Sequence, residues 1–234
     1  MHSLAAAVGN KVGKEAEELC ASGPCAAAMV ALKRAVDVGH LPSRALKAWL
    51  MLDGREGVAK DGQGAFALAE EGARLGCHHC QGVMAVCCLY GRGCVKDAAR
   101  SLELARESSG KGSRYGQVTL GILYRYGVGG VALDYAQALA LFRLAAAQNF
   151  DAAQCNLGDM YYVGDGVARD YAEALRLFQF AAAQGHLQAL YWVAHYYEGG
   201  RGVRRNKAEA LRWYRRAQAA GHTYATEVLQ RFRA

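Results

Sequence analysis

Cysteine and histidine are the residues of this chain whose spacing could do chemistry. Eight cysteines are present (Cys20, Cys25, Cys77, Cys80, Cys87, Cys88, Cys94 and Cys155), five of them between positions 77 and 94. Cys77-His78-His79-Cys80 has the C-x2-C spacing of a zinc knuckle, with Cys87 or Cys88 as a third ligand. The chain has no second C-x2-C pair, so buried, reduced thiols acting as small apolar side chains are expected instead. Cys20 and Cys25 flank a turn and form a weak disulfide candidate. Ser108-Ser109-Gly110-Lys111 matches the S-x2-K of serine acylases, but neither S-D-N nor K-T-G occurs, and the match is read as chance. The expectation is therefore no catalytic residue, no metal and no cofactor.

The elements that position these residues come from an internal repeat. Asp151–His186 is the reference copy, preceded by Arg114–Phe150 and followed by Leu187–His222. In it, Ala153, Leu157, Gly158 and Tyr161 share one face at helical spacing. Gly164-Asp165-Gly166-Val167 breaks that helix, Asp170 is placed to cap a second one, and Leu175, Phe178, Ala181 and Ala182 continue with helical period. The unit is thus helix A, a glycine turn, helix B and a glycine exit at Gly185. The turn recurs at Gly57, Gly93, Gly130, Gly166 and Gly202, at intervals of 36, 37, 36 and 36 residues. A capping residue follows each time: Asp61, Asp97, Asp134, Asp170 or Asn206. His40, His186 and His222 follow the exit glycine, and that repetition points to packing or to compensation of the preceding helix's C-terminus rather than to ligation.

A hairpin that is apolar on two sides must be covered by its neighbours, so the copies stack. The pattern resembles the Sel1-like repeat family, a relative of tetratricopeptide repeats, whose motif runs roughly A-x3-LG-x2-Y-x2-G-x-GV-x2-D-x3-A-x9-AA-x-G. Leu157-Gly158, Tyr161, Asp170 and Ala181-Ala182 carry it best. Ala194 replaces the helix-A glycine in the last copy; Met84-Ala85, Cys88 and Cys94 are departures in 78–113, and 41–77 is the weakest copy. The resemblance implies an all-α, right-handed superhelical solenoid of about five and a half hairpins, one domain over 1–234. It comprises a divergent first repeat at 3–40, repeats 41–77, 78–113, 114–150, 151–186 and 187–222, and a capping helix at 223–234. Some cysteine-rich relatives carry a disulfide at a fixed place in each repeat and have been proposed to act as β-lactamases; that recurrence of cysteines is absent here.

The resemblance also implies that helices A line a concave side. The helix-A positions not spent on packing then form a partner-binding groove, with Tyr115, Ile122, Arg125, Tyr126, Asp159, Tyr162, Tyr191, His195 and Glu198 as its candidate residues. Neither Tyr162 nor Tyr191 is expected to be needed for folding.

The net charge of +7 belongs to residues 199–234, where Arg201, Arg204, Arg205, Arg212, Arg215 and Arg216 form a basic C-terminal patch. That patch is read first as a solvated terminal face, and second as a dock for an acidic protein segment, a membrane surface or RNA. Nucleic acid is not expected, because the charge does not run along the whole array. No apolar run is long enough to span a membrane. Leu4–Val8 is too short for a secretory signal, which favours the cytoplasm or an organelle interior over secretion. The sequence thus reads as a non-enzymatic scaffold or adaptor that binds polypeptides in the groove. Two alternatives stay open: a structural subunit or assembly factor of a large complex, and a thiol- or metal-dependent protein.

Overall fold

The computed structural model describes residues 10–16, 18, 26–54 and 58–232. Among them every regular element is a helix. After a helical stretch at 10–16 come α1 (Ala26–Asp37), α2 (Leu41–Asp53), α3 (Gly62–Arg74), α4 (His78–Tyr90), α5 (Ala98–Gly110) and α6 (Arg114–Tyr126). Then follow α7 (Tyr135–Ala147), α8 (Asp151–Val163), α9 (Tyr171–Ala183), α10 (Leu187–Gly199), α11 (Lys207–Ala219) and α12 (Thr223–Arg231). Even-numbered helices from α2 to α12 are helices A, and odd-numbered ones are helices B. Consecutive helices pack on one another in the manner of an all-α solenoid. The chain forms two compact units, Met1–Ala145 and Ala146–Ala234. Cys20, Cys25 and Gly57 lie outside the described residues.

The capping residues close each hairpin twice over. Asp61, Asp97, Asp134, Asp170 and Asn206 each accept, through a side-chain oxygen, the backbone N–H three residues on, at 2.9–3.0 Å. Their own backbone N–H groups donate back to helix A, to Met51, Cys88, Tyr124, Tyr161 and Tyr197 carbonyls at 2.8–3.0 Å. One residue thus starts helix B and ties it to helix A. Each such cap contributes about 1 kcal/mol.

The turn glycines make a close approach. A Cβ on Gly93 would lie 2.1 Å from the Gly62 carbonyl oxygen, and one on Gly202 would lie 2.7 Å from the Tyr171 carbonyl carbon. The equivalent residue in the copy Arg114–Phe150 is Gly129, whose Cβ would meet the Ala98 oxygen at 2.6 Å, whereas Gly130 faces open space. The register read from sequence had placed Gly130 there. The extra residue of that copy is accommodated in its turn, after the packed glycine.

Side-chain volume is shared between partners. A Cβ on Gly121 would meet the Phe142 ring at 2.7 Å, and one on Gly158 the Phe178 ring at 2.9 Å. The third copy holds Ala194 and Tyr214 at those two places, both fully buried. Where helix B passes the next helix A, Gly72 faces the Cys80 sulfur and Gly116 faces the Ser108 hydroxyl, and a Cβ on either glycine would overlap its neighbour. Ala181 and Ala189 occupy the same two positions in the second unit, both fully buried. Each junction therefore holds roughly two alanines' worth of atoms, divided differently.

Gly72→Ala alone overpacks its junction and should destabilise by about 1–3 kcal/mol. Adding Cys80→Ala recreates the alanine pair and should recover most of that loss. Urea denaturation of the two single variants and the double variant measures the coupling, and strictly additive effects would contradict the shared-volume account.

Candidate binding face

The second unit gathers the aromatic residues. Trp192 of α10 lies at its centre. Its ring centroid is 5.1 Å from Tyr162, 5.6 Å from Phe178 in a stacked arrangement, 6.0 Å from Tyr191 and 5.7 Å from His195. Tyr191 stacks on His222 at 5.0 Å, and also approaches Tyr214 and Tyr224. Neighbouring helices A are thus joined by rings: α8 to α10 through Tyr162 and Trp192, and α10 to α12 through Tyr191 and Tyr224.

Polar groups are fixed along this row. Arg201, just past the end of α10, donates from Nη1 to the Tyr162 hydroxyl at 2.6 Å and to His195 Nε2 at 3.0 Å. A guanidinium can only donate, so His195 accepts through Nε2 and carries its proton on Nδ1. Burial, and then the Arg201 charge, hold the His195 pKa below its ordinary value. Glu198 accepts from the Tyr214 hydroxyl at 2.6 Å. Burial and this bond to a carboxylate raise the Tyr214 pKa. Tyr224 remains 43% exposed and offers its ring to solvent.

Of the residues expected in the groove, Asp159, Tyr162, Tyr191, His195 and Glu198 are half-buried on α8 and α10, and Arg201 joins them. In the first unit the outcome differs. Tyr115 is 1% exposed, wedged between Trp49 at 5.3 Å and His79 at 6.0 Å, and Arg125 is 5% exposed. These positions had been read as open; neighbouring helices A approach so closely that they become core. Ile122 is half-buried, and Tyr126 is exposed beneath the Arg125 guanidinium. Tyr162 and Tyr191, expected to be dispensable for folding, each contact at least three other rings. They are structural as well as partly accessible.

The basic patch divides. Arg201 belongs to the aromatic row and Arg205 holds the Glu198 carbonyl at 3.0 Å. Arg212, Arg215 and Arg216 project from α11, where Arg212 pairs with Glu209 and Arg216 lies 4.2 Å over the Trp213 ring. Arg204 is exposed.

The exit histidines have a different role from the one expected. His40, His186 and His222 cap the following helix A, each accepting through Nδ1 from the backbone N–H three residues on, at 3.3 Å. Cys77 and Ser113 do the same at their junctions, while Phe150 makes no side-chain cap. A signal for this was present in the sequence, since position and spacing match an N-cap.

The six described cysteines are free thiols, all buried except Cys94, which is half-buried. Among the described residues no three His, Cys, Asp or Glu side chains gather to hold a metal ion. Ser108 is buried with its hydroxyl on the Ala105 carbonyl, and Lys111 pairs with Glu107.

Sequence reasoning missed Trp192 and Tyr196, which sit on the packing side of α10. The Tyr196 hydroxyl is buried and has no hydrogen-bond partner among the described residues. Leu123 and Met160 occupy the same repeat position and need none. Tyr196→Phe should therefore raise stability by about 1 kcal/mol, against the usual loss for a buried tyrosine, as chemical denaturation will show.

A second measurement concerns pH. Burial lowers the pKa values of His195 and His222 in the fold from 6.5. Above 6.5 both states are neutral there, and the stability is fully present. Below it the unfolded chain binds protons more readily, so stability is lost as pH falls. The melting temperature should drop from pH 7 to 5, and less so in His222→Asn, which keeps a cap but does not titrate.

The Sel1 repeat family matches residues 48–77, 79–113, 115–150, 151–186 and 187–222. Among solved structures, a Sel1 repeat protein from Oxalobacter formigenes superimposes with a TM-score of 0.62 at 22% identity, covering 86% of this chain and 82% of that one. A protective antigen present in uropathogenic Escherichia coli strains, displaying an SLR fold, is 30% identical with a TM-score of 0.57, over 83% of this chain and 41% of the antigen. This chain thus spans about two fifths of that antigen. An immunity protein from Pseudomonas aeruginosa aligns at 20% identity and a TM-score of 0.56, over 92% and 83% of the two chains. No curated protein matches the sequence. Five consecutive matches cover most of the chain, in register with the hairpins seen in the fold, and the protein belongs to the Sel1 repeat family.

Proposed function

We propose that the chain is a non-enzymatic adaptor whose second unit holds a partner polypeptide against the helix-A row of α8, α10 and α12. Sel1 repeats commonly mediate protein–protein interaction, their scaffolds are usually non-enzymatic, and a repeat fold of this kind suggests protein partners. No described helix is long and apolar enough to cross a membrane.

The observation that carries the reading is the aromatic row with Arg201 fixed in it. Rings held rigid by one another present area at little entropic cost, and tyrosine and arginine dominate binding energy at interfaces. Arg201 has no carboxylate on it in the hydrogen bonds of this face; its donors meet a hydroxyl and an imidazole. The fitting partner is therefore a segment with at least one acidic side chain beside apolar ones, attracted by the positive end of the chain.

A second reading, a subunit of a larger assembly, is favoured by outward apolar residues on helices B. Leu144 of α7 is 55% exposed and Phe180 of α9 is 49% exposed.

Affinity purification followed by titration with the recovered partner separates the two. Tyr224→Ala with Arg201→Gln should weaken the partner's Kd by about tenfold or more. Circular dichroism should show the helices intact. If that variant binds unchanged while Phe180→Glu releases the partner, the contact lies on helices B and the first reading fails.

A further inference from the structure

We propose that Cys77 and Cys80 form a redox-active dithiol, which a hydroperoxide oxidises to an intramolecular disulfide. The geometry comes from the helix start. Cys77 is the N-cap of α4, with extended backbone at φ −74° and ψ 105°, and its sulfur accepts the Cys80 backbone N–H at 3.4 Å. Cys80 is the third residue of the helix. An N-cap side chain and an N3 side chain face each other across the first turn, which is why a capping box works. Here both carry sulfur. At the equivalent junctions the cap is His40, Ser113, His186 or His222, so this pairing is particular to one repeat.

The two sulfurs differ in character. The Cys77 sulfur accepts the Cys80 backbone N–H, and the neighbouring Cys80 side chain, ahead of the opposing effect of burial, draws its pKa down to about 7. A thiolate at a helix N-terminus is the attacking form. The Cys80 pKa is raised, first by the neighbouring Cys77 sulfur and then by burial, and its thiol donates to the Leu41 carbonyl at 3.7 Å. Cys77 is 5% exposed and Cys80 not at all, so the reagent must be small and must reach Cys77 first.

The chemistry balances. The Cys77 thiolate attacks one peroxide oxygen, the O–O bond breaks, and the departing hydroxide takes up a proton as water, leaving a sulfenic acid. Cys80 then loses its proton and attacks the Cys77 sulfur. The S–O bond breaks and a second water leaves. Two thiols are oxidised to one disulfide, and one hydroperoxide is reduced.

A competing pair lies nearby. The Cys94 sulfur is 3.8 Å from that of Cys88, whose pKa burial raises to about 11. It serves as an internal control.

The full chain is treated with hydrogen peroxide at pH 7, denatured, alkylated and mapped by peptide mass spectrometry. The expected result is a peptide spanning residues 77–80 that has lost two hydrogens and resists alkylation. Cys80→Ala should halt at a Cys77 sulfenic acid captured by dimedone, and Cys77→Ser, which keeps a capping oxygen as at Ser113, should leave Cys80 alkylated. Recovery of both Cys77 and Cys80 fully alkylated from the wild-type chain, or a disulfide only between Cys88 and Cys94, overturns the proposal. Should Cys80→Ala fail to fold, the wild-type map alone decides.

Discussion

The start of every helix leaves backbone N–H groups without partners, and in this chain a single residue per hairpin answers that need while setting the hairpin's geometry. Asp170 is representative. Its carboxylate accepts the Glu173 N–H, and its own N–H donates to the Tyr161 carbonyl. Helix B can begin only where helix A has delivered that carbonyl. The turn between them is therefore constrained at both ends. A mirror arrangement operates where helix B meets the next helix A, with His186 or Cys77 as the cap.

With the backbone spacing held in this way, side chains must share a nearly constant volume. Gly158 gives way to the Phe178 ring, whereas Ala194 with Tyr214 fills the same place with a methyl and a hydroxyl more. Gly72 opposite Cys80 is the same compromise reached with sulfur. The cysteines between 77 and 94 thus fit the packing as ordinary small residues. Reactivity at one of them arises from its position at a helix start, because capping puts N–H groups on whatever atom occupies that place.

The second unit uses its volume differently from the first. Trp192 and Tyr196 stand where Asn156 and Met160, or Thr119 and Leu123, stand in preceding copies. Added rings reach across from α10 to α8 and α12, and Arg201 and Glu198 are held among them. The unpaired Tyr196 hydroxyl is a cost of filling that space with a tyrosine. A face that is rigid and aromatic, and that carries an arginine without a carboxylate, is suited to hold a flexible chain.

Repetition made the architecture readable from the sequence. Glycine at the turn, aspartate three residues past the valine and alanine near the exit act locally, so the hairpin period and the helix-B caps followed from spacing, whereas the capping role of His40, His186 and His222 did not. What could not be read was anything decided between helices distant in sequence. Whether Tyr115 faces solvent depends on how near Trp49 and His79 come, and the separation of helices A is set by side chains on three repeats at once. The same holds for Trp192, whose neighbours Tyr162 and Phe178 lie one repeat earlier. Sequence determined which residues form hairpins, because capping and periodicity are short-range. Tertiary structure alone decided which tyrosines remain available for a partner, because burial is a property of the packed neighbours.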